Sequence, residues 1–257
     1  MNSDKSNLPI GVFDSGVGGL SVLQYAAQLL PNEDFIYIGD FANAPYGNKT
    51  QDEIIDISIS NTQKLLDMNI KALLIACNTA TSAAAHILRE DSTLPIVGLE
   101  PAIKPASAYG ADDKSIVVLA TPQTLRLDKF NNQLKNFDRD IVPIACPGLS
   151  RLIEEAGPKS KAIEEYLAEI LSFVNAENTS SIVIGCTHFS FVAQEIQKAA
   201  GGVKIFDGRF GAARQLTRVI EKSESNKQGD IQLISTIDDS HYNGLLDKFL
   251  VYELLEE

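Results

Sequence analysis

Hydrophobic positions in this chain fall into two patterns. Short, nearly unbroken apolar runs occur at "PIGVFD" (9–14), "DFIYIGD" (34–40), "KALLIAC" (71–77) and "PIVG" (95–98). Between them, apolar residues recur every three or four positions, in "GGLSVLQYAAQLL" (18–30), "QDEIIDISISNTQKLLDM" (51–68) and roughly 79–89. Unbroken runs of this length predict strands buried on both faces, and the other period predicts amphipathic helices. "PAIKPASAYG" (101–110) predicts a short helix stopped by glycine. A second round follows, with strands at "KSIVVLAT" (114–121), "DIVPIAC" (140–146), "SIVIGC" (181–186) and "VKIFD" (203–207). Its helices are expected after 121, over roughly 148–156 and 160–175, after 186, and over roughly 210–222. "DIQLIST" (230–236) and an amphipathic C-terminal helix complete the series.

Strand and helix alternating in this way predict an α/β fold with parallel sheets. The two rounds also resemble each other. "IGVFDSGVGGL" is matched in position and pattern by "IVVLATPQTLR", and "LLIACNT" by "IVIGCTH" about 109 residues further on. The expected architecture is therefore two pseudo-symmetric α/β domains, with the active site in the cleft between them. Open parallel sheets bind ligands there, at the carboxyl ends of their strands. A length of 257 residues, above the usual single-domain size of about 100–150, accommodates both domains.

Composition narrows the partners. The formal net charge is −12, which argues against nucleic acid and requires any anionic ligand to find its donors locally. No apolar run reaches the roughly 18 residues that span a bilayer, and "MNSDKSNLPIGVFD" lacks the basic-then-apolar order of a secretory leader. The chain is thus read as cytoplasmic, with no membrane partner. Its three cysteines are too few for a disulfide framework and are read as free thiols.

Two of those thiols hold equivalent places. Cys77 and Cys186 each end a buried strand, and each precedes small polar residues that could open a helix: Asn78-Thr79 and Thr187-His188. A thiol at a helix N-terminus meets unpaired N–H groups and the positive end of the helix dipole, so a lowered pKa is expected. One buried cysteine is ordinarily an inert core residue. A matched pair in a repeated unit is not. Cys146 also ends a strand but is followed by Pro147, and it reads as core. Cys77, Cys186 and His188 are metal-ligand types, yet neither CxxC nor HxxxH spacing accompanies them, so no metal is assigned.

The loop "FDSGVGGLSV" puts Asp14 and Ser15 at the end of the first strand, ahead of three glycines that let backbone approach a ligand. It is a weak nucleotide signal, since no ribose-binding acid stands about 20 residues on. Asp40 and the turn Pro45-Tyr46-Gly47 occupy the same predicted sheet edge. Two opposed thiols without a cofactor suit one reaction in particular, inversion of a stereocentre. One base removes the proton from carbon and an acid on the opposite face returns one. In that scheme Asp14 or Asp40 would set the protonation of Cys77, and His188 that of Cys186.

Seven segments together resemble the glutamate racemases, cofactor-independent enzymes of the aspartate/glutamate racemase superfamily. They are "GVFDSGVGGLSV", "YIGDFANAPYGNKT", "LLIACNTATSAA", "VGLEPAIKPA", "LATPQT", "ACPGLSRLIE" and "IVIGCTHFSF", in family order from residue 10 to about 192. The resemblance implies that Cys77 and Cys186 are the catalytic acid/base thiols. It implies that Asp14, Ser15, Tyr46, Gly47, Asn78, Thr79, Thr187 and His188 hold the amino acid. Asp40, Glu154 and His188 fall where the family keeps auxiliary polar groups. The segments assigned to the substrate contain no Arg, so its carboxylates are expected on backbone N–H groups, hydroxyls and the Asn78 amide.

The implied activity interconverts L- and D-glutamate without pyridoxal phosphate or another cofactor and feeds D-glutamate to bacterial peptidoglycan. Family members are often dimers, so a homodimer is one implied assembly. The expected domains are 1–97 plus 207–257, and 98–206. This chain departs from the family pattern at Ser190, where proline is usual, and at Asp207-Gly208, where the family commonly has Asp-Ser. The alternatives are a sister racemase or isomerase for aspartate or another small acid, a Cys186/His188 hydrolase, and a non-catalytic binding protein of the same fold.

Overall fold

Every run of apolar positions read above becomes a strand, within two residues at either end. In a computed structural model, residues 5–90, 92–111 and 113–256 are described; the first four residues of the opening stretch lie outside them. The strands are β1 (Ile10–Asp14), β2 (Phe35–Gly39), β3 (Ala72–Ile75), β4 (Ile96–Gly98), β5 (Ser115–Ala120), β6 (Ile141–Ala145), β7 (Thr179–Gly185), β8 (Lys204–Asp207) and β9 (Ile231–Ser235). They form two sheets, one in the order β4-β3-β1-β2-β9 and the other β6-β5-β7-β8. All pairings are parallel. Every residue of β1, β2 and β3 is buried, which is why these strands read as continuous apolar runs rather than alternating ones.

Read from the matching edge, the second sheet is β8-β7-β5-β6 against β4-β3-β1-β2 in the first. The two topologies correspond strand for strand, and β9 alone has no counterpart. Cys77 follows β3 and Cys186 follows β7, which are equivalent strands. The fold is two parallel-sheet α/β units. Strand β9 returns the end of the chain to the first sheet.

The helices explain themselves locally. Helix Gln51–Asp67 opens on a capping box, in which Glu53 N donates to Thr50 Oγ1 at 3.3 Å and Thr50 N to Glu53 Oε2 at 2.8 Å. Helix Asn78–Glu90 carries Ala80, Ala83, Ala84 and Ala85, all fully buried, whose small side chains let it lie close against the sheet. The C-terminal helix Ser240–Leu250 packs on helix Leu20–Leu29 and is tied to it by Gln24, whose amide donates to the carbonyl of Phe249 at 3.0 Å.

Two predicted helices differ. The one expected over 160–175 stops at Ile170, because the Asn175 side chain accepts from the N–H groups of Glu177 (2.9 Å) and Asn178 (3.2 Å) and shapes a turn instead. After Cys186 the chain forms a 3₁₀ segment, Thr187–Val192, before helix Ala193–Ala199. The Thr187 carbonyl there accepts from Ser21 Oγ of the first half at 3.2 Å.

Candidate active site

A cavity of about 770 Å³ lies where the carboxyl ends of the two sheets face each other, and Cys77 and Cys186 both open onto it. Ser15, Tyr46, Gly47, Asn78, Thr79, Thr187, His188 and Glu154 share its wall. Of the residues singled out in the sequence, only Asp14 and Asp40 lie behind that surface, and both are fully buried.

Cys77 caps the helix that follows it, with Ala80 N–H donating to its Sγ at 3.5 Å. The lowered pKa expected from that helix start is not what the surroundings produce. Burial pushes the Cys77 thiol well up, and the neighbouring Asp14 carboxylate pushes further, against the smaller help of the Ala80 N–H. Asp14 Oδ2 accepts from Gly19 N at 2.7 Å and from Thr187 Oγ1 of the other half at 3.4 Å. Its Oδ1 has no geometric hydrogen-bond partner among the described residues. Burial raises Asp14 as well, opposed first by the charge of His188. Burial and the Asp14 charge both favour the neutral S–H at Cys77.

Cys186 has different company. His188 Nε2 lies 2.7 Å from Glu154 Oε1, and His188 is held well above the usual imidazole range. Burial opposes its charge, but hydrogen bonds to Cys186 and Glu154, and the charges of both, outweigh that. The two sulfurs thus have neighbours of opposite charge, the Asp14 carboxylate beside Cys77 and the His188 ring beside Cys186.

The glycine loop lets the halves meet. A Cβ at Gly18 would collide with Thr187 Oγ1 and His188 Nδ1, and one at Gly16 would come within 2.9 Å of Glu154 Oε1. Residues without side chains are required there because the flank of the second thiol packs directly on the loop of the first.

Asp40 does not reach either thiol. Its carboxylate accepts from Tyr46 Oη (2.6 Å), Asn61 Nδ2 (2.9 Å), Asn43 Nδ2 (3.0 Å) and Thr236 Oγ1 (3.0 Å). Its lone pairs are spent on fixing Tyr46 in the cavity wall, so it is a positioning group rather than a partner of Cys77. Glu154, by contrast, does touch His188.

Four residues were not singled out as site residues. Ser150 Oγ lies 3.5 Å from Cys186 Sγ. Thr121 and Thr124 form a hydroxyl triangle with Thr79, at 3.3, 2.9 and 2.9 Å. Tyr242, from the C-terminal helix, closes one side over Phe41. Segments "LATPQT" and "ACPGLSRLIE" held the first three, but only three-dimensional proximity distinguishes them. Cys146, read as core, stands on the cavity wall, its thiol pushed up to about 12 by burial and by the charge of Cys186. An arginine, Arg151, also lines the mouth, exposed and paired with Glu155 at 2.6 Å.

The cavity offers Asn78 Nδ2, a buried donor without a partner among the described residues, and the hydroxyls of Ser15 and Thr187. These are donors for a small anionic ligand, with a sulfur to each side. Fold and cavity define an α/β protein that presents matched thiols from two halves to one cavity.

The chain belongs to the Asp/Glu/hydantoin racemase family, whose model matches residues 21–216. It is 44% identical over 245 residues to a glutamate racemase of Clostridium novyi, covering 92% of this chain and 94% of that one. Its structure is similar to glutamate racemase from Francisella tularensis in complex with D-glutamate, with a TM-score of 0.83, 28% identity and coverage of 95% and 94%. It is likewise similar to Escherichia coli glutamate racemase in complex with L-glutamate and an activator, UDP-MurNAc-Ala, with a TM-score of 0.84, 26% identity and 96% of both chains covered.

Proposed function

We propose that the chain interconverts L- and D-glutamate by proton transfer at Cα between Cys77 and Cys186. The observation that carries this reading is the single cavity into which both thiols open. One thiolate takes the α-proton, and the opposite thiol delivers another to the far face of the resulting carbanion. Substrate atoms balance, since one proton leaves and one arrives. Asp14 exchanges protons with Cys77, and the His188–Glu154 pair holds charge beside Cys186. Asn78, Thr79, Ser15 and Thr187 bind the carboxylates and the ammonium group, and Tyr46-Gly47 closes the pocket. The carbanion needs electrostatic support, which N–H and O–H donors on the cavity wall supply.

Similarity to glutamate racemases over nearly the whole chain supports glutamate rather than aspartate as substrate. Strand membership supports the division into 1–97 plus 207–257 and 98–206. In this reading the product D-glutamate supplies peptidoglycan synthesis in the cytoplasm. Among the described residues no helix is long and apolar enough to cross a membrane.

The test is incubation of the purified protein with L-glutamate and, separately, L-aspartate in deuterated water, followed by chiral analysis. Deuterated D-glutamate is the expected product. Deuterium at Cα of aspartate but not of glutamate would overturn the substrate assignment.

A further inference from the structure

Helix Leu149–Ala156 presents two polar side chains one turn apart to the second thiol's surroundings. Glu154 reaches His188, the residue two beyond Cys186. Ser150 reaches the sulfur itself, its Oγ 3.5 Å from Sγ. Among the described residues, no other side-chain hydroxyl is hydrogen-bonded to either of the two thiols. The groups facing Cys186 are His188 on the 3₁₀ segment, Glu154 and Ser150 on this helix, Cys146 past β6 and Cys77 across the cavity. His188 is the cation, and its ring is also held by Glu154. The serine hydroxyl is free to rotate and can donate to a thiolate or accept from a thiol.

We propose that Ser150 is a positioning residue for Cys186, donating its hydroxyl to the sulfur in the thiolate state and orienting that sulfur toward the substrate's Cα. The inference rests on the two-thiol reading above and adds to it a hydrogen bond on one side only. Cys77 receives a backbone N–H instead. The two thiols are thus activated by different means, and the difference lies in a residue that can be replaced without touching either sulfur.

The experiment measures carbamidomethylation of each cysteine by iodoacetamide at pH 7, read by peptide mass, in wild type and in Ser150→Ala and Ser150→Thr. Ser150→Ala is expected to slow modification of Cys186 about tenfold, the loss of one charge-assisted hydrogen bond, and to leave Cys77 unchanged. Ser150→Thr, which keeps the hydroxyl, is expected to restore the rate. Removing a side chain from the cavity wall widens access, so a purely steric role predicts faster modification of Cys186. An equal or faster rate in Ser150→Ala would overturn the proposal. The readout does not require turnover. A protein that fails to racemise glutamate but keeps the Ser150 effect would refute the function and not the contact.

Discussion

Ser190 donates its hydroxyl to Asp207 Oδ2 at 2.6 Å, tying the 3₁₀ segment that follows Cys186 to the end of β8. Asp207 is at the same time the N-cap of helix Gly208–Val219, accepting from Arg209 N at 2.9 Å. Ser190→Ala is expected to lower stability by about 1 kcal/mol, a fall of about 2–4 °C in Tm, with racemisation nearly unchanged. Thermal unfolding of the two proteins checks it.

Asp40 works through Tyr46. In Asp40→Ala the Tyr46 hydroxyl and the Asn61 amide lose a buried acceptor, at a cost of about 3 kcal/mol in stability. Turnover should suffer through a raised KM more than through kcat, because the cavity wall loosens while the thiols stay in place. A kinetic comparison alongside urea unfolding separates the two.

Gly18 marks where the halves touch. In Gly18→Ala the new methyl meets Thr187 and His188, and either the loop or the flank of Cys186 must move. Racemisation is expected to fall by about 100-fold or more, since misplacement of reacting groups by an ångström costs that much. Steady-state assays and a crystal structure of the variant would show the displacement.

The charge on His188 has a signature in stability. Its pKa in the fold lies above the usual 6.5, so the folded state binds the proton more tightly than the unfolded chain. Its contribution is full below about pH 6.5 and is lost as pH rises through the folded value. Asp14 and Cys77, both raised by burial, give a slope of the same sign. Glu154→Gln removes the partner of His188 alone, so the expected outcome is a shallower fall in the urea midpoint from pH 6 to pH 9 than in wild type. Equal slopes in the two proteins would show that Glu154 does not hold the charge.

Strand positions and the matched cysteines were legible because both follow from short-range order. An apolar run bounded by turns makes a strand wherever it is placed, and a repeated strand-Cys-polar unit reads directly off the chain. The 3₁₀ segment after Cys186 was not legible; its contacts are long-range, among them the bond from Ser21 to the Thr187 carbonyl 166 positions away. Ser150, Thr121 and Tyr242 escaped for the same reason. Each is an ordinary helix or helix-cap residue whose meaning comes from what faces it across the cavity. The raised pKa of Cys77 was missed because burial outweighs a helix N-terminus, and the depth of burial belongs to the packed molecule.

The central claim is that two sulfurs act on opposite faces of one carbon. Its most direct test is the initial-rate reaction of L-glutamate in deuterated water, with deuterium measured separately in product and in recovered substrate. Two monoprotic thiols predict deuterium in nearly every D-glutamate formed and almost none in the remaining L-glutamate. Deuterium accumulating in L-glutamate as fast as in D-glutamate would mean that a single base serves both faces, and would contradict the account.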